Sequence, residues 1–325
     1  MKPQVAVVYG GRSGEHEISI RSAKSILLAI DREKYDVVEY FISEDGRWHP
    51  EPILPEPGVQ PDIDVVFPVL HGTFGEDGTV QGLLELADLP YVGAGVLGSC
   101  ISMDKEMMKR VCRERGLPVV DYVTMYRGSL DAARAIRELP FPMFIKPANL
   151  GSSVGISKVR DRAELDVALE LAAQYDRKII AERAIDGQEL ECAVLGNDEP
   201  EASLPCEVLP SREFYDYEDK YLLDRAQFKL PAEIGDKKTA ELRHLAIECY
   251  RAVECFGMAR VDFLLERSTG QLYINEINTI PGFTSISMYP KMWEASGLPY
   301  AQLIDRLLEL ALARHAAKKA TRFTR

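Results

Sequence analysis

Arg260-Val-Asp-Phe-Leu-Leu-Glu266 and Gln271-Leu-Tyr-Ile-Asn-Glu-Ile-Asn278, separated by Arg267-Ser-Thr-Gly270, read as a β-hairpin. Ser268-Thr269-Gly270 suits a three-residue hairpin loop with glycine at the left-handed position. With Arg267 opposite Gln271, counting back sets Asp262 against Glu276 and Arg260 against Asn278. Side chains alternate between the faces of a strand, so these four share one face, while Val261, Phe263 and Leu265 take the other. One guanidinium, two carboxylates and an amide oxygen are too many polar groups for a core face. Hard oxygen donors on adjacent strands suit Mg²⁺, which accepts a few carboxylate oxygens and completes its octahedron with water and substrate phosphate. A surface ion pair is the plain alternative. The strongly apolar opposite face, and the hydroxyl-rich loop after Pro281-Gly282 (Thr284, Ser285, Ser287), favour the metal site.

At 325 residues the chain has room for two or three compact units. A net charge of -12 argues against nucleic acid or an anionic membrane as the main partner, since both need a basic face. No apolar run approaches a membrane span, and Met1-Lys2-Pro3-Gln4 leads directly into a strand, so a cytoplasmic protein is expected. Its six cysteines lack zinc spacings and read as small buried hydrophobes of a reducing compartment.

Val5 to Tyr9 is an apolar run that ends in Gly10-Gly11-Arg12-Ser13-Gly14, and a helical pattern starts at Glu15. Strand, glycine-rich turn and helix open an α/β unit, and such a turn offers amides to an anion. Glu15 and Glu17 are also the acids that a first helical turn favours. Further strands, Tyr35 to Ile42 and Ile63 to Val69, predict a mainly parallel sheet whose loops line a crevice at the strands' carboxyl ends. One of those loops is His71-Gly-Thr-Phe-Gly-Glu-Asp-Gly78, where His71 is as suited to bracing as to binding. Gly93-Ala-Gly95-Val-Leu-Gly98 matches the dinucleotide fingerprint in isolation, without an acid-ended strand about twenty residues on, and is set aside.

Asp104 caps a helix from Lys105 to Arg115, after which a second unit begins. Its strand Pro142 to Lys146 runs into Gly151-Ser-Ser-Val-Gly155. A lysine beside a loop of unblocked amides is what a triphosphate needs, although an ordinary turn with a surface lysine looks similar. A strand ending at Ala184 breaks at Ile185-Asp186-Gly187, where the backbone can meet an adenine edge and Glu189 a ribose. The long connection from Pro210 to Pro231 carries Glu213-Phe-Tyr-Asp-Tyr-Glu-Asp-Lys-Tyr221 and reads as a lid.

Taken together, His71 to Gly78, Lys146 to Gly155, Tyr215 to Tyr221 and Arg260 to Ser287 closely resemble the D-alanine:D-alanine ligases of the ATP-grasp superfamily, over essentially the whole chain. The resemblance implies an α/β (α+β) chain in which an amino-terminal doubly wound parallel-sheet domain (1–104) precedes two ATP-grasp subdomains (105–184 and 185–325). It implies that ATP phosphorylates a first D-alanine and that the amine of a second attacks the acyl phosphate, supplying a peptidoglycan precursor. Lys105, Lys146, Ser153 and Lys220 would serve the phosphates, Glu182 and the backbone to Ile185 the adenine, and Glu189 the ribose. Asp262, Glu276 and Asn278 would hold two Mg²⁺ ions, with Mn²⁺ as a substitute and K⁺ as an activator in relatives. Glu15 would take the first ammonium, linked through Ser152 to Tyr221. His71 would contribute to substrate binding, Arg260 to the tetrahedral oxyanion, and Gly282 and Ser287 to the second carboxylate. A homodimer is the family expectation. D-serine or D-lactate as second substrate, and a catalytically silent nucleotide-binding homologue, are the alternatives.

Overall fold

A computed structural model describes residues 2–151, 154–209, 227–284 and 286–322. The first sheet has the order β3-β2-β1-β4, from β1 (Gln4–Gly10), β2 (Asp36–Ile42), β3 (Trp48–His49) and β4 (Val65–Val69). β1 runs parallel to both β2 and β4, and only β3 is antiparallel. Parallel strands are covered on both faces, which is why Val5 to Val8 and Val65 to Val69 are continuously apolar and buried. Ala6, Val8 and Val66 pack with Val80 and Leu84 of α2 (Thr79–Leu86). Val5, Val7 and Phe67 turn the other way, toward Ala23 and Ile26 of α1 (His16–Ala29).

That second face is not closed by the amino-terminal residues alone. Its cluster continues into Phe283, into Tyr289 and Met292 of the helix Met288–Ala295, and into Leu303 and Leu307 of the closing helix Tyr300–Lys319. The fingerprint-like glycines lie at the same seam. α3 (Val96–Met103) starts after Gly95, and a Cβ on Gly257, which has φ of 71°, would stand 2.9 Å from the Gly93 nitrogen. These glycines admit backbone against backbone, which accounts for the pattern without a dinucleotide.

α4 (Lys105–Glu114) leads into a four-stranded antiparallel sheet, β5-β8-β6-β7, formed by β5 (Tyr122–Tyr126), β6 (Met143–Pro147), β7 (Ser157–Val159) and β8 (Lys178–Arg183). The Asp104 side chain accepts from the amides of Glu106 and Met107, as a capping residue does, and Lys178 holds its other oxygen at 2.6 Å. The third sheet has the order β12-β11-β9-β13-β14, from β9 (Gly187–Gly196), β11 (Cys206–Leu209), β12 (Gln227–Lys229), β13 (Gly257–Glu266) and β14 (Leu272–Asn278), with the short β10 (Glu201–Ala202) pairing β9. One face of it packs under the helix Asp236–Ala252 through Leu242, Ala246 and Tyr250.

The hairpin pairs Arg260 with Asn278 and Asp262 with Glu276, as expected, but by a different route. The turn is one residue longer than predicted: the Glu266 amide donates to Gln271, and Gly270, with φ of 69°, bonds back to Glu266. That shift would set Asp262 against Asn275. A bulge between Asp262 and Phe263 inserts Asn275 and restores the pairing. Burial along β14 shows the result: Ile274 and Ile277 are buried, and the adjacent Asn275 and Glu276 are both half-buried on the site face.

Phe283 joins the amino-terminal sheet to the carboxy-terminal helices. It is fully buried, edge-on to Phe67 at 5.9 Å, and 5.5 Å from the Tyr289 ring. Phe283→Ala is expected to cost roughly 3–5 kcal/mol of stability, read by chemical denaturation. A loss below about 1 kcal/mol would show that the seam does not depend on it.

Candidate active site

A cavity of about 520 Å³ opens where the three sheets converge. Glu15, His71, Lys105, Arg260, Glu276, Asn278, Gly282 and Ser287 all line it. Lys146, Glu182, Ile185, Glu189 and Asp262 lie outside its lining. Ser152, Ser153, Lys220 and Tyr221 lie outside the described residues, as does the expected lid over 210–226, while its end, Gln227–Lys229, pairs with Cys206–Leu209 and places Phe228 in the cavity lining.

The hairpin supplies the charged floor. Arg260 donates to both oxygens of Asp262, Nε at 2.7 Å and Nη2 at 2.6 Å, and its Nε lies 3.3 Å from Glu191. Burial opposes the guanidinium charge, but Asp262 and Glu191 outweigh it and raise Arg260 well above its ordinary value. The Asn278 amide donates to Asp262 at 3.1 Å, and Glu276 lies 3.9 Å from Lys105 Nζ. Two carboxylates and an amide oxygen form a hard donor set suited to Mg²⁺. Among the described residues no three His, Cys, Asp or Glu side chains gather as a metal cluster.

A second charged line runs inward from the cavity. Lys146 Nζ donates to Glu182 at 2.6 Å and to the bulged Asn275 at 3.4 Å. On its other side Glu182 meets the fully buried Lys109 at 3.1 Å. Burial alone would raise the Glu182 carboxyl, but Lys109 and Lys146 together hold it down at about 2. The carboxylate of Glu182 is therefore committed to two lysines. The strand break at Ile185, the other expected adenine contact, follows the end of β8. Lys105 sits one turn before Lys109 on α4 and donates to the Leu150 carbonyl at 2.7 Å, at the foot of the glycine-serine loop.

On the opposite wall, Glu15 lies at the start of α1 and its carboxylate packs against glycine backbone. A Cβ on Gly72 would come within 2.6 Å of Glu15 Oε2, and one on Gly151 within 3.1 Å. The first two glycine-bearing loops are laced together, with Ser13 donating to the His71 carbonyl at 2.7 Å. His71 itself is buried, and burial lowers its pKa against the pull of Glu15. Its Nδ1 faces the Ile280 carbonyl at 3.0 Å and its Nε2 faces Ser22 Oγ at 3.0 Å. The carbonyl can only accept, so Nδ1 carries the proton and Nε2 accepts from Ser22. With both nitrogens engaged, His71 braces this loop against Ile280 and Ser22, and it also lines the cavity in which substrate binding was expected of it. Ser287 Oγ accepts from the Thr284 amide at 3.0 Å, and a Cβ on Gly282 would lie 2.8 Å from it.

The profile of the D-ala D-ala ligase C-terminus matches residues 111–309, and that of the D-ala D-ala ligase N-terminus matches 4–58 and 51–94. The chain belongs to the D-alanine–D-alanine ligase family. It is 71% identical to the D-alanine--D-alanine ligase of Solibacter usitatus over the whole of both chains. The enzyme of the same name from Thermoanaerobacter sp. is 49% identical, with 98% of each chain covered. Among solved structures, the D-alanine-D-alanine ligase from Coxiella burnetii is similar with a TM-score of 0.87 and 39% identity, over 98% of this chain and 96% of that one. The VanG D-Ala:D-Ser ligase from Enterococcus faecalis is similar with a TM-score of 0.88 and 36% identity, over 96% and 100%. The fold is thus ATP-grasp, and members of this ligase family use ATP.

Four polar residues of the site went unassigned in the sequence. Glu191 had a signal, since it alternates with Glu189 along β9 and so shares its face. Lys109 had one too, four residues beyond Lys105 on the buried face of α4. Asn275 had none, because only the bulge turns it toward Lys146. Glu76 was visible only as an acid in a glycine-rich loop.

Lys109→Met should leave a buried carboxylate with one partner and cost roughly 3–5 kcal/mol, while Lys109→Met with Glu182→Gln should recover part of the loss. The Glu182 pKa is depressed from its ordinary 4.5 to about 2, so its ion-pair stabilisation is present above pH 4.5 and lost as pH falls toward 2. Denaturation of Glu182→Gln beside the parent chain should therefore show a deficit at pH 7 that shrinks below pH 4.5. A deficit independent of pH would contradict this assignment.

Proposed function

We propose that the chain joins two D-alanines to D-alanyl-D-alanine at the expense of ATP, with ADP and phosphate as co-products, for peptidoglycan precursor synthesis. The observation that carries this reading is the placing of Arg260, Glu276, Asn278, Lys105 and Glu15 around one cavity, in a chain 71% identical end to end to a D-alanine--D-alanine ligase. A D-serine acceptor is not favoured, because the chain is 71% identical end to end to a D-alanine--D-alanine ligase and 36% identical to the D-Ala:D-Ser relative.

Glu15 receives the ammonium of the first D-alanine, its carboxylate set by the close backbone of Gly72 and Gly151. Lys146 and Lys105 neutralise the triphosphate, and Glu182, itself braced by Lys109, keeps Lys146 oriented. An oxygen of the first D-alanine's carboxylate attacks the γ-phosphorus, and the bond to ADP breaks. Two anions meet in this step, so positioning and charge neutralisation supply most of the acceleration. Asp262, Glu276 and Asn278 would hold Mg²⁺, in two ions, which supplies Lewis acidity and charge neutralisation at the phosphates. The amine of the second D-alanine then attacks the acyl phosphate carbonyl and loses a proton, and phosphate departs with the former carboxylate oxygen. Arg260, held rigid by Asp262 and Glu191, faces the oxyanion that forms. The Gly282 amide and Ser287 hydroxyl receive the second carboxylate.

Ser152, Ser153, Lys220 and Tyr221 complete this reading as substrate, phosphate and lid contacts, Glu189 as the ribose ligand, and Ile185 as the adenine contact. A cytoplasmic homodimer is the setting that the family suggests. Among the described residues no helix is long and apolar enough to cross a membrane.

The test is phosphate release from ATP with D-alanine, L-alanine, D-serine and D-lactate offered singly and in pairs, with products identified by mass. Release with D-alanine alone, together with the dipeptide, is expected. Release only when D-serine or D-lactate is present would replace the acceptor, and none with any acid would replace the function. Arg260→Ala should reduce turnover by about 10²-fold or more with ATP binding retained, and unchanged turnover would remove Arg260 from the reaction.

A further inference from the structure

After β14 the described residues of 279–287 do not pair into a sheet, yet they must hold the Gly282 amide and Ser287 hydroxyl in register with the acyl phosphate. Its backbone is fastened from outside the hairpin. The Ile280 amide donates to Glu76 Oε1 at 3.2 Å, and the Ile280 carbonyl accepts from His71 Nδ1 at 3.0 Å. Three residues on, the Phe283 amide donates to Ser22 Oγ at 3.2 Å, the hydroxyl that also serves His71. The other oxygen of Glu76 accepts from the Gly72 amide at 2.8 Å. Among the described residues no lysine, arginine or histidine forms an ion pair with Glu76. A carboxylate in a cavity wall that takes two backbone amides and no cation is there to hold backbone.

We propose that Glu76 is a positioning residue for the acceptor half of the site: with His71 it clamps both polar groups of the Ile280 peptide and so sets where Gly282 and Ser287 stand. The inference rests on the assignment of Gly282 and Ser287 to the second substrate. The clamp also touches the first half of the site, since Gly72, bonded to Glu76, is the residue packed on the Glu15 carboxylate. Burial, and then the charge of Glu15, push Glu76 up to about 8 against the pull of the Gly72 and Ile280 amides and Arg260.

The experiment compares Glu76→Gln, Ser22→Ala and Ser287→Ala with the parent chain. Glutamine keeps the size of Glu76 but turns an amide donor toward one of the two backbone amides. The D-alanine dependence of dipeptide formation gives the acceptor KM. Hydroxylamine, an amine without a carboxylate, traps the acyl phosphate as hydroxamate and reports the first half-reaction alone. In Glu76→Gln the acceptor KM should rise by about tenfold or more, while hydroxamate formation stays within about threefold. Ser22→Ala should show the same split more weakly, and it carries the test if Glu76→Gln does not fold. Equal loss in both assays, or an unchanged acceptor KM, overturns the clamp. If Ser287→Ala raises the acceptor KM while Glu76→Gln and Ser22→Ala do not, the clamp alone fails. If Ser287→Ala leaves it unchanged, the subsite assignment fails and the clamp with it.

Discussion

Pairing of Asp262 with Glu276 across a bulged hairpin is the constraint on which the rest of the site depends. β13 is the central contact of the third sheet, with β9 on one side and β14 on the other. Its inward face is fixed by Val261 and Phe263, both essentially inaccessible to water. A strand so anchored has no freedom of register, since a slip of one residue would bury Asp262 and expose Phe263. The apolar face therefore holds the charged one in place. Arg260, Asp262, Glu276 and Asn278 are presented together because the residues between them have nowhere else to go.

Charge is arranged in alternation around that floor. Arg260 lies between Asp262 and Glu191, and Glu182 lies between Lys109 and Lys146. Each ion has an opposite charge beside it, so the chain folds with Arg260 and Lys146 already oriented. Buried pairs of this kind contribute little net stability, and their use here is orientation. Lys146 illustrates it: one oxygen of Glu182 fixes its head group, while Lys109 braces the other.

Much of this was legible in the sequence. Alternation along β13 and β14, the Asp104 cap and the strand-turn-helix opening each follow from short-range rules, and each stands in the structure. The hairpin turn was misjudged by one residue, and the correct pairing survived because the bulge compensates, a compensation that no local pattern announces. His71 is instructive in another way. Its loop position was plain, but its partner Ile280 lies in a different unit of the chain, and only the folded arrangement commits both ring nitrogens. Glu76 escaped for a related reason: its partner Ile280 is far away in sequence, and a lone acid in a glycine-rich loop carries no sign of burial, whereas the position of Lys109 on the buried face of α4 was readable and only its partner Glu182 was not. The seam between the amino-terminal sheet and the closing helices was equally silent, since apolar residues show that they will be buried and not against what.

The central claim is that the hairpin face binds the metal that accompanies the triphosphate. Anomalous diffraction from Mn²⁺ in crystals grown with a non-hydrolysable ATP analogue addresses it directly. Density ligated by oxygens of Asp262, Glu276 and Asn278 is the predicted result. Density beside the analogue with none of these three as ligands would contradict the account.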